Sequence, residues 1–256
     1  MKTITIPSDR VFEGSLILIN ANYSYKETGK KILKPIDVSN KKIFLEKDAA
    51  DAFLMLMNDI GGWKEIVIVS GWRSISEQHD IFSSSIIEKG LEFTQKYVAF
   101  PGYSEHQSGL AIDLGLKQSD IDYIRPSFPY SGSCKIFKDK ASHYGFIERY
   151  PKDKEEITKI AWEPWHFRYV GCPHAEIISK LGITFEEYHD LLKQYEYGRR
   201  SYIYKDSEGV WRISYLKAST ESFTTIEKSS GSSLYLSGNN SDGFILTELK
   251  TKEKRA

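Results

Sequence analysis

The stretch SEHQSGLAIDLGL, residues 104–116, carries the pattern from which the fold and the site can be inferred. Its second half alternates enough to predict a β-strand, and Asp113 lies inside that strand between Ile112 and Leu114. A carboxylate in a buried strand is costly unless it is paired or bound to a metal ion. His106 precedes it in the loop that enters the strand. The pair is therefore either part of a metal site or a structural aspartate hydrogen-bonded to a histidine.

A second segment, EPWH at residues 163–166, places an acid and an imidazole among aromatic residues. Glu163 and His166 flank a proline, which favours a tight turn that feeds a short strand, with both side chains facing one cavity. An aromatic core segment would explain the neighbouring Trp and Tyr residues. It would not explain the acid and the imidazole.

Together the two segments supply His106, Asp113 and His166. Two imidazoles and one carboxylate form the ligand set of a catalytic zinc whose fourth position stays open for water. Glu163 is then a spare carboxylate suited to accept a proton from that water. A single histidine is more often a surface or structural group, so the prediction depends on the pairing of the two segments.

A third candidate is Arg73, in SGWRS at residues 70–74, between a β-branched buried strand and a helix. An arginine that leaves a buried strand end can point into a cleft and stabilise an oxyanion. The alternative is a salt bridge to Glu77 or Asp80, and the local sequence alone favours that alternative.

The patterns SxHxxGxAxD and ExxH, with the upstream SGxRS, together resemble the zinc D-Ala-D-Ala carboxypeptidases and dipeptidases of the VanY, VanX and VanXY group. The likeness covers roughly residues 10–195, and residues 93–116 and 152–174 are most similar to the VanXY subgroup. The resemblance implies an α+β fold of the LAS metallopeptidase type. Such a fold has a small central antiparallel sheet flanked by helices, here followed by a β-rich C-terminal extension.

The resemblance also implies a role for individual residues. His106, Asp113 and His166 would hold zinc, Glu163 would be the catalytic base, and Arg73 would polarise the scissile carbonyl. The substrate-binding residues that it implies are Ser104, Gln78 and Tyr97. The implied reaction is D,D-peptidase hydrolysis of the bond before a C-terminal D-Ala, in D-Ala-D-Ala or in the muramyl pentapeptide precursor. In the cytoplasm this reaction would confer glycopeptide (vancomycin) resistance by removing the drug target.

The composition indicates a soluble protein of a reducing compartment. Of 256 residues, 40% are apolar and 27% are charged, which is enough to build a core. The 35 basic and 35 acidic residues cancel, so no global field attracts nucleic acid or an anionic membrane. Cys134 and Cys172 are too few for a disulfide framework. The chain shows no secretory h-region and no apolar run near the ~20 residues of a membrane span. We expect a cytoplasmic protein with no membrane span.

The composition shifts at Gly198, after which Tyr, Ser, Thr, Val and Ile dominate without a helical period. We predict a zinc D,D-peptidase catalytic domain at residues 1–197 and a β-rich extension at 198–256. Helices are predicted at 47–60, 74–90, 135–144 and 184–197, and strands at 16–20, 65–70, 109–116, 165–170, 201–204, 210–217, 223–227, 233–236 and 244–249. The extension could bind wall material or a partner, mediate dimerisation, or cover an exposed sheet edge.

Three other functions remain open from the sequence. One is an L,D-carboxypeptidase or a peptidoglycan endopeptidase on the same metal site. The second is a zinc-binding signalling module without catalysis. The third is a structural or interaction protein in which His106 and His166 are packed in the core without a metal.

Overall fold

The computed structural model describes residues 2–28, 31–36, 43–228 and 232–251. These residues fall into two compact units. The central unit comprises the described residues within Ile19–Tyr25 and Lys30–Thr184. The terminal unit comprises those within Met1–Leu18, Lys26–Gly29 and Phe185–Ala256.

The described residues form seven α-helices and twelve β-strands. The α-helices are α1 Lys47–Asp59, α2 Ile75–Lys89, α3 Leu91–Tyr97, α4 Gly132–Ala141, α5 Glu155–Thr158, α6 His174–Leu181 and α7 Phe185–Lys193. The strands are β1 Lys2–Pro7, β2 Leu33–Pro35, β3 Phe44–Glu46, β4 Ile66–Ser70, β5 Ala111–Leu116, β6 Phe146–Tyr150, β7 Glu163–Tyr169, β8 Tyr202–Lys205, β9 Gly209–Lys217, β10 Phe223–Lys228, β11 Ser233–Gly238 and β12 Gly243–Thr251. Among the described residues, no helix combines the length and the apolar character that a membrane crossing requires.

The central unit is organised around a four-stranded antiparallel sheet in the order β4-β5-β7-β6. Helices α1 and α4 pack on it through aromatic side chains. Phe53 of α1 lies 6.4 Å from Phe146 of β6, and Phe137 of α4 lies 4.8 Å from Phe167 of β7, measured between ring centroids. All four rings are buried. This arrangement confirms the predicted α+β fold with a small antiparallel sheet flanked by helices.

Local sequence explains the helices on either side of β4. The buried side chains of α1, among them Ala49, Phe53 and Met57, recur at helical spacing. Helix α2 begins with the predicted capping box, in which Ser74 and Glu77 each accept from the other's backbone N–H. The box fixes where α2 starts, just after the segment that carries Arg73.

The strand predicted at residues 16–20 is wrong. The described chain there forms no strand, and its backbone groups are satisfied by side chains and loops instead. The Leu16 N–H donates to Ser237 Oγ at 2.9 Å, and the Asn240 amide donates to the Leu18 carbonyl at 2.8 Å. Residues 16–19 are buried, which explains their apolar character. An apolar run by itself does not distinguish a strand from a buried loop.

Several helix and strand limits also differ from expectation. Helix α4 begins and ends about three residues before the predicted span, and α7 ends at Lys193 rather than near Tyr197. The elements that were not predicted from the sequence are α3, α5, α6, β1, β2, β3 and β6.

The terminal unit is mostly β-structure. It contains a sheet in the order β11-β12-β9-β8 and the separate antiparallel pair β1-β10. The five strands predicted after residue 198 are all present as β8 to β12. Strand β1 and helix α7 belong to this unit as well. The units therefore divide the chain differently from the composition-based boundary at residues 197 and 198, because pairing with β10 assigns the first strand to the C-terminal part.

Gly109 connects the histidine-bearing turn to β5 in a conformation that favours glycine. Its φ is +78°, and a Cβ built on it would lie 2.9 Å from the backbone nitrogen of Glu46. That nitrogen donates to the Gly109 carbonyl at 2.8 Å. The close approach therefore holds the start of β5 against the segment that precedes α1.

Substituting Gly109 by Ala should lower the free energy of unfolding by more than the roughly 1–3 kcal/mol that a strained positive φ costs, because the Glu46 backbone must also shift. Gly61→Ala is the matched control, since Gly61 has φ +61° and no atom within 4 Å of the added Cβ. Urea unfolding of both variants measures the difference. Equal losses would show that the contact with Glu46 contributes nothing.

Candidate metal centre and catalytic cavity

The three predicted metal ligands lie together in the central unit. His106 is in a short 3-10 turn before β5, Asp113 is on β5 and His166 is on β7. His106 Nε2 lies 3.0 Å from Asp113 Oδ2, and His166 Nδ1 lies 2.8 Å from Asp113 Oδ1. One ligand atom of each residue lies within 4.8 Å of the others, and all three side chains are buried. The structure thus brings two distant segments to one point.

Strand register explains this convergence. Asp113 pairs directly with His166 on one side and with Ser70 of β4 on the other. Directly opposed residues project to the same face of a sheet. Glu163 is three residues before His166 and would face away in a regular strand. The register of β7 against β6 shifts between Phe167 and Glu163, so an irregular strand, and not the predicted tight turn, turns Glu163 toward the same cavity.

The second nitrogen of each imidazole has a partner that suits metal ligation. His106 Nδ1 lies 2.7 Å from the Gly71 carbonyl, which leaves Nε2 pointing at Asp113. His166 Nε2 lies 3.5 Å from Glu105 Oε2, which leaves Nδ1 pointing at Asp113. Metal-ligating histidines usually direct their second nitrogen to a backbone carbonyl or a carboxylate in this way. The donor set and its surroundings therefore fit a zinc ion.

The pKa values of the two histidines shift in opposite directions. Burial, helped by Arg73, lowers the pKa of His106 and so favours the neutral ring that a metal requires. Burial also acts to lower the pKa of His166, but Asp113, Glu105 and Glu163 outweigh it and raise that pKa to about 9. Because a ligating imidazole must be neutral, metal binding would displace the proton of His166.

Glu163 is buried at the edge of the cluster. Its Oε2 lies 3.9 Å from His166 Nδ1. Burial raises the pKa of Glu163 to about 8, and the neighbouring carboxylates of Asp113 and Glu105 act in the same direction. A carboxyl group with a pKa near neutrality can both accept and donate a proton at working pH.

Arg73 faces the cluster and not the partners that local sequence favoured. Its Nη2 lies 2.8 Å from Asp113 Oδ2, and its Nε donates to Ser70 Oγ at 2.7 Å. The expected salt bridge to Glu77 or Asp80 is wrong, because Glu77 is used in the capping box of α2. The guanidinium is therefore aimed at the cavity by groups on β4 and β5.

The cluster lies in a cavity of about 640 Å³. The three residues that the resemblance implied for substrate binding, Ser104, Gln78 and Tyr97, all line it. Gln78 is buried, with its Nε2 donating to the Ala99 carbonyl at 2.8 Å and its Oε1 accepting from Arg73 at 3.3 Å. Both polar atoms of the Gln78 amide are therefore hydrogen-bonded within the protein, and its contact within the cavity is with Arg73. Tyr97 lies under the Arg125 guanidinium, 4.6 Å from the ring centroid.

Sequence reasoning missed a buried charge network behind His166. Glu105 Oε1 accepts from Arg149 Nε at 2.8 Å and from Arg168 Nη1 at 3.0 Å. All three side chains are fully buried. Burial alone would raise the pKa of Glu105, but the two guanidinium groups hold it far below its usual range. The sequence contains one indication of this network, because Arg149 and Arg168 lie in the apolar, aromatic stretches FIERY and WHFRYV.

This network orients the remaining oxygen of Glu105. Its Oε2 and His166 Nε2 are both buried and have no hydrogen-bond partner within the described chain, although they face each other at 3.5 Å. A small rotation of the ring would close that gap. The network therefore offers His166 an acceptor that fixes the ring with Nδ1 toward the cluster.

Comparison with known proteins identifies close relatives. The family model "VanY: D-alanyl-D-alanine carboxypeptidase" matches residues 42–172. The bifunctional D-Ala-D-Ala dipeptidase and D-Ala-D-Ala carboxypeptidase VanXYC of Enterococcus gallinarum is 45% identical over 184 residues, which span 70% of this chain and 96% of that protein.

Two solved structures extend the comparison. The vancomycin resistance D,D-dipeptidase VanXYg, in complex with a D-Ala-D-Ala phosphinate analogue, superposes with a TM-score of 0.93 at 42% identity over 97% of this chain and 98% of that chain. A vancomycin resistance D,D-pentapeptidase VanY in complex with Zn(II) has a TM-score of 0.57 at 28% identity, covering 68% of this chain and 98% of that chain. The first match includes the terminal unit as well as the central one.

Replacing Glu105 by Gln should weaken zinc binding by roughly 10–100-fold, the usual effect of losing a carboxylate behind a ligating histidine. Glu105→Asp keeps the charge for Arg149 and Arg168 but shortens the reach to His166, so it should also weaken binding while preserving the fold. Competition with a chelator measures the zinc dissociation constant.

The matched control is Glu176→Gln, which removes the same charge from a second carboxylate–histidine contact, with His143 Nδ1 at 2.9 Å. Glu176 does not line the cavity, so this variant should bind zinc like the parent protein. Unchanged zinc affinity in both Glu105 variants, with the fold intact, would contradict the orienting role.

Proposed function

The chain belongs to the VanY family of D-alanyl-D-alanine carboxypeptidases, and we propose that it is a zinc-dependent D,D-peptidase that hydrolyses the bond before a C-terminal D-Ala. One observation carries the proposal. A buried set of three zinc-type donors, a carboxyl group with a pKa near neutrality and a guanidinium all face one cavity.

The proposed substrates are D-Ala-D-Ala and the muramyl pentapeptide precursor that ends in it. The relatives support this class, since one is named a D-Ala-D-Ala dipeptidase and carboxypeptidase and another binds a D-Ala-D-Ala analogue. A cavity of about 640 Å³ readily accommodates a dipeptide. Hydrolysis of both substrates would remove the D-Ala-D-Ala ending that vancomycin binds and so confer resistance.

His106 Nε2, an Asp113 oxygen and His166 Nδ1 are the atoms that would hold the metal. When bound, zinc supplies a Lewis acid that lowers the pKa of a coordinated water toward ~7. The protein's own contribution is to keep both imidazoles oriented, through the Gly71 carbonyl and Glu105. The family relative solved with Zn(II) supports the choice of metal.

Glu163 would act as the general base and then as the general acid. It would accept a proton from the attacking water and pass it to the amine of the departing D-Ala. Its burial beside other carboxylates raises its pKa to about 8, which makes the return of the proton easy. A positively charged metal would lower that pKa and favour the base form in the resting state.

Arg73 would stabilise the negative charge that develops on the carbonyl oxygen. Its side chain is largely buried, so its charge is only weakly screened by water. Ser70 and Gln78 hold the guanidinium in place before the substrate arrives. Ser104 and Tyr97 would contact the substrate from the cavity wall, with Ser104 near its terminal carboxylate.

We place the reaction in the cytoplasm, where both proposed substrates are made. The free cysteines Cys134 and Cys172 are compatible with a reducing compartment. Fractionation of cells that produce the protein should recover the D-Ala-releasing activity with the cytosol. Recovery with the membrane or the medium would contradict this location.

The decisive experiment measures D-Ala release by the zinc-loaded protein from D-Ala-D-Ala and from pentapeptide, with and without a chelator. Release from both substrates is expected, and removal of zinc should abolish it. Glu163→Gln should lose on the order of 10²–10⁴-fold in kcat while retaining about one zinc per chain. Glu156→Gln, at an exposed position outside the cavity, is the control.

Three results would contradict the proposal. Release of D-Ala from a tetrapeptide but from neither D-Ala-D-Ala substrate would indicate an L,D-carboxypeptidase. Full activity in protein that has lost its zinc would exclude zinc dependence. A zinc-loaded Glu163→Gln variant with near-parental kcat would exclude Glu163 as the base.

A further inference from the structure

A second groove, of about 380 Å³, adjoins the catalytic cavity within the central unit. Trp165 and Asp122 line both spaces. Trp165 lies between Glu163 and His166 in β7, so the groove opens beside the proposed chemistry. A substrate too long for the cavity could continue into this groove without leaving the protein surface.

The wall of the groove carries two partly exposed aromatic rings, Tyr130 and Trp162. Their relative exposures are 53% and 36%. The rings are nearly parallel, with an interplanar angle of 19° and centroids 6.3 Å apart. Trp162 Nε1 donates to Glu148 Oε1 at 3.3 Å, and the Tyr130 hydroxyl donates to the same oxygen. Exposed rings held in this way form a preorganised apolar surface.

A buried lysine supports this surface from below. Lys138 Nζ lies 2.9 Å from Glu148 Oε2, and its side chain is only 7% exposed. The same ammonium lies 4.1 Å from the Tyr130 ring centroid and donates to the Pro164 carbonyl. Pro164 directly follows Glu163, so one cation connects the aromatic pair to the strand that carries the proposed base.

We propose that this groove is a subsite for the peptide stem that precedes the terminal D-Ala-D-Ala of a longer precursor. The inference rests on the proposed function. If the terminal dipeptide occupies the cavity next to Glu163, the preceding residues must extend about 3.3–3.6 Å each along the adjoining surface. The aromatic faces and the prolines of the groove suit the aliphatic parts of such a stem.

The charge of the groove favours the peptide stem over the nucleotide of a nucleotide-linked muramyl pentapeptide. Among the described lining residues, Arg125 is the one cation and Asp122 the one anion. A diphosphate would require a net positive site with several donors. A peptide stem carries no diphosphate and has no such requirement.

The test compares three substrates in the zinc-loaded full chain: D-Ala-D-Ala, the free pentapeptide, and the nucleotide-linked muramyl pentapeptide. In Trp162→Ala and Tyr130→Ala, the ratio of kcat/KM for each longer substrate to kcat/KM for the dipeptide should fall by about tenfold, as expected for loss of a well-packed aromatic contact. Trp162→Phe keeps a ring and should restore most of the ratio.

Tyr235→Ala is the matched control, because Tyr235 is 57% exposed and lines neither space. It should leave the ratio unchanged. Zinc content and the thermal midpoint of each variant check that it has folded.

Each other outcome overturns the inference. An equal loss on all three substrates would mean that the rings are structural. A loss restricted to the nucleotide-linked precursor would assign the groove to the sugar-nucleotide. An unchanged ratio, or a parent protein that cleaves only the dipeptide, would exclude a stem subsite. Failure of the parent protein to release D-Ala from any substrate would instead refute the proposed function.

Discussion

The central unit depends on how it accommodates the buried carboxylate of Asp113. A charged group in the middle of a sheet is strongly unfavourable unless opposite charge surrounds it. Here two imidazoles and the Arg73 guanidinium meet it within 3.0 Å. Burial would raise the pKa of Asp113, but these neighbours hold it well below its usual range. Asp113 and the two imidazoles are also the proposed zinc ligands, because one carboxylate and two imidazoles at this spacing fit that metal.

Further pairs of buried charges stand behind this first contact. Glu105 with Arg149 and Arg168 lies behind His166, and Lys138 with Glu148 lies behind Pro164 of β7. Breaking a buried pair leaves an uncompensated charge, so these pairs resist rearrangement. The first network orients His166 toward the cavity, and the second connects β7 to the Tyr130 ring. Catalysis by positioned charges requires such preorganisation.

Prediction from sequence succeeded where a strong local pattern coincided with burial. The periodic apolar residues of α1, the capping box of α2 and the alternating strands β9 and β12 were all evident. It failed where burial came without regular structure, as at Leu16 to Asn20. It also missed β6, in which Glu148 and Arg149 interrupt the apolar pattern. Those two charges belong to the ion pairs behind the candidate site, so paired charges inside the strand obscured its apolar pattern.

The sequence by itself determined which residues to consider. The spacing of His106 and Asp113, and the placement of Glu163 and His166 among aromatic residues, are chemical oddities that a core does not require. Only the tertiary structure decided which of these side chains contact one another and which cavity they face. The antiparallel register of β4, β5 and β7, and the shift of β7 against β6, set Arg73 on Asp113 and turned Glu163 inward. These contacts join residues 40 or more positions apart, and local sequence carries no information on strand register between such distant segments.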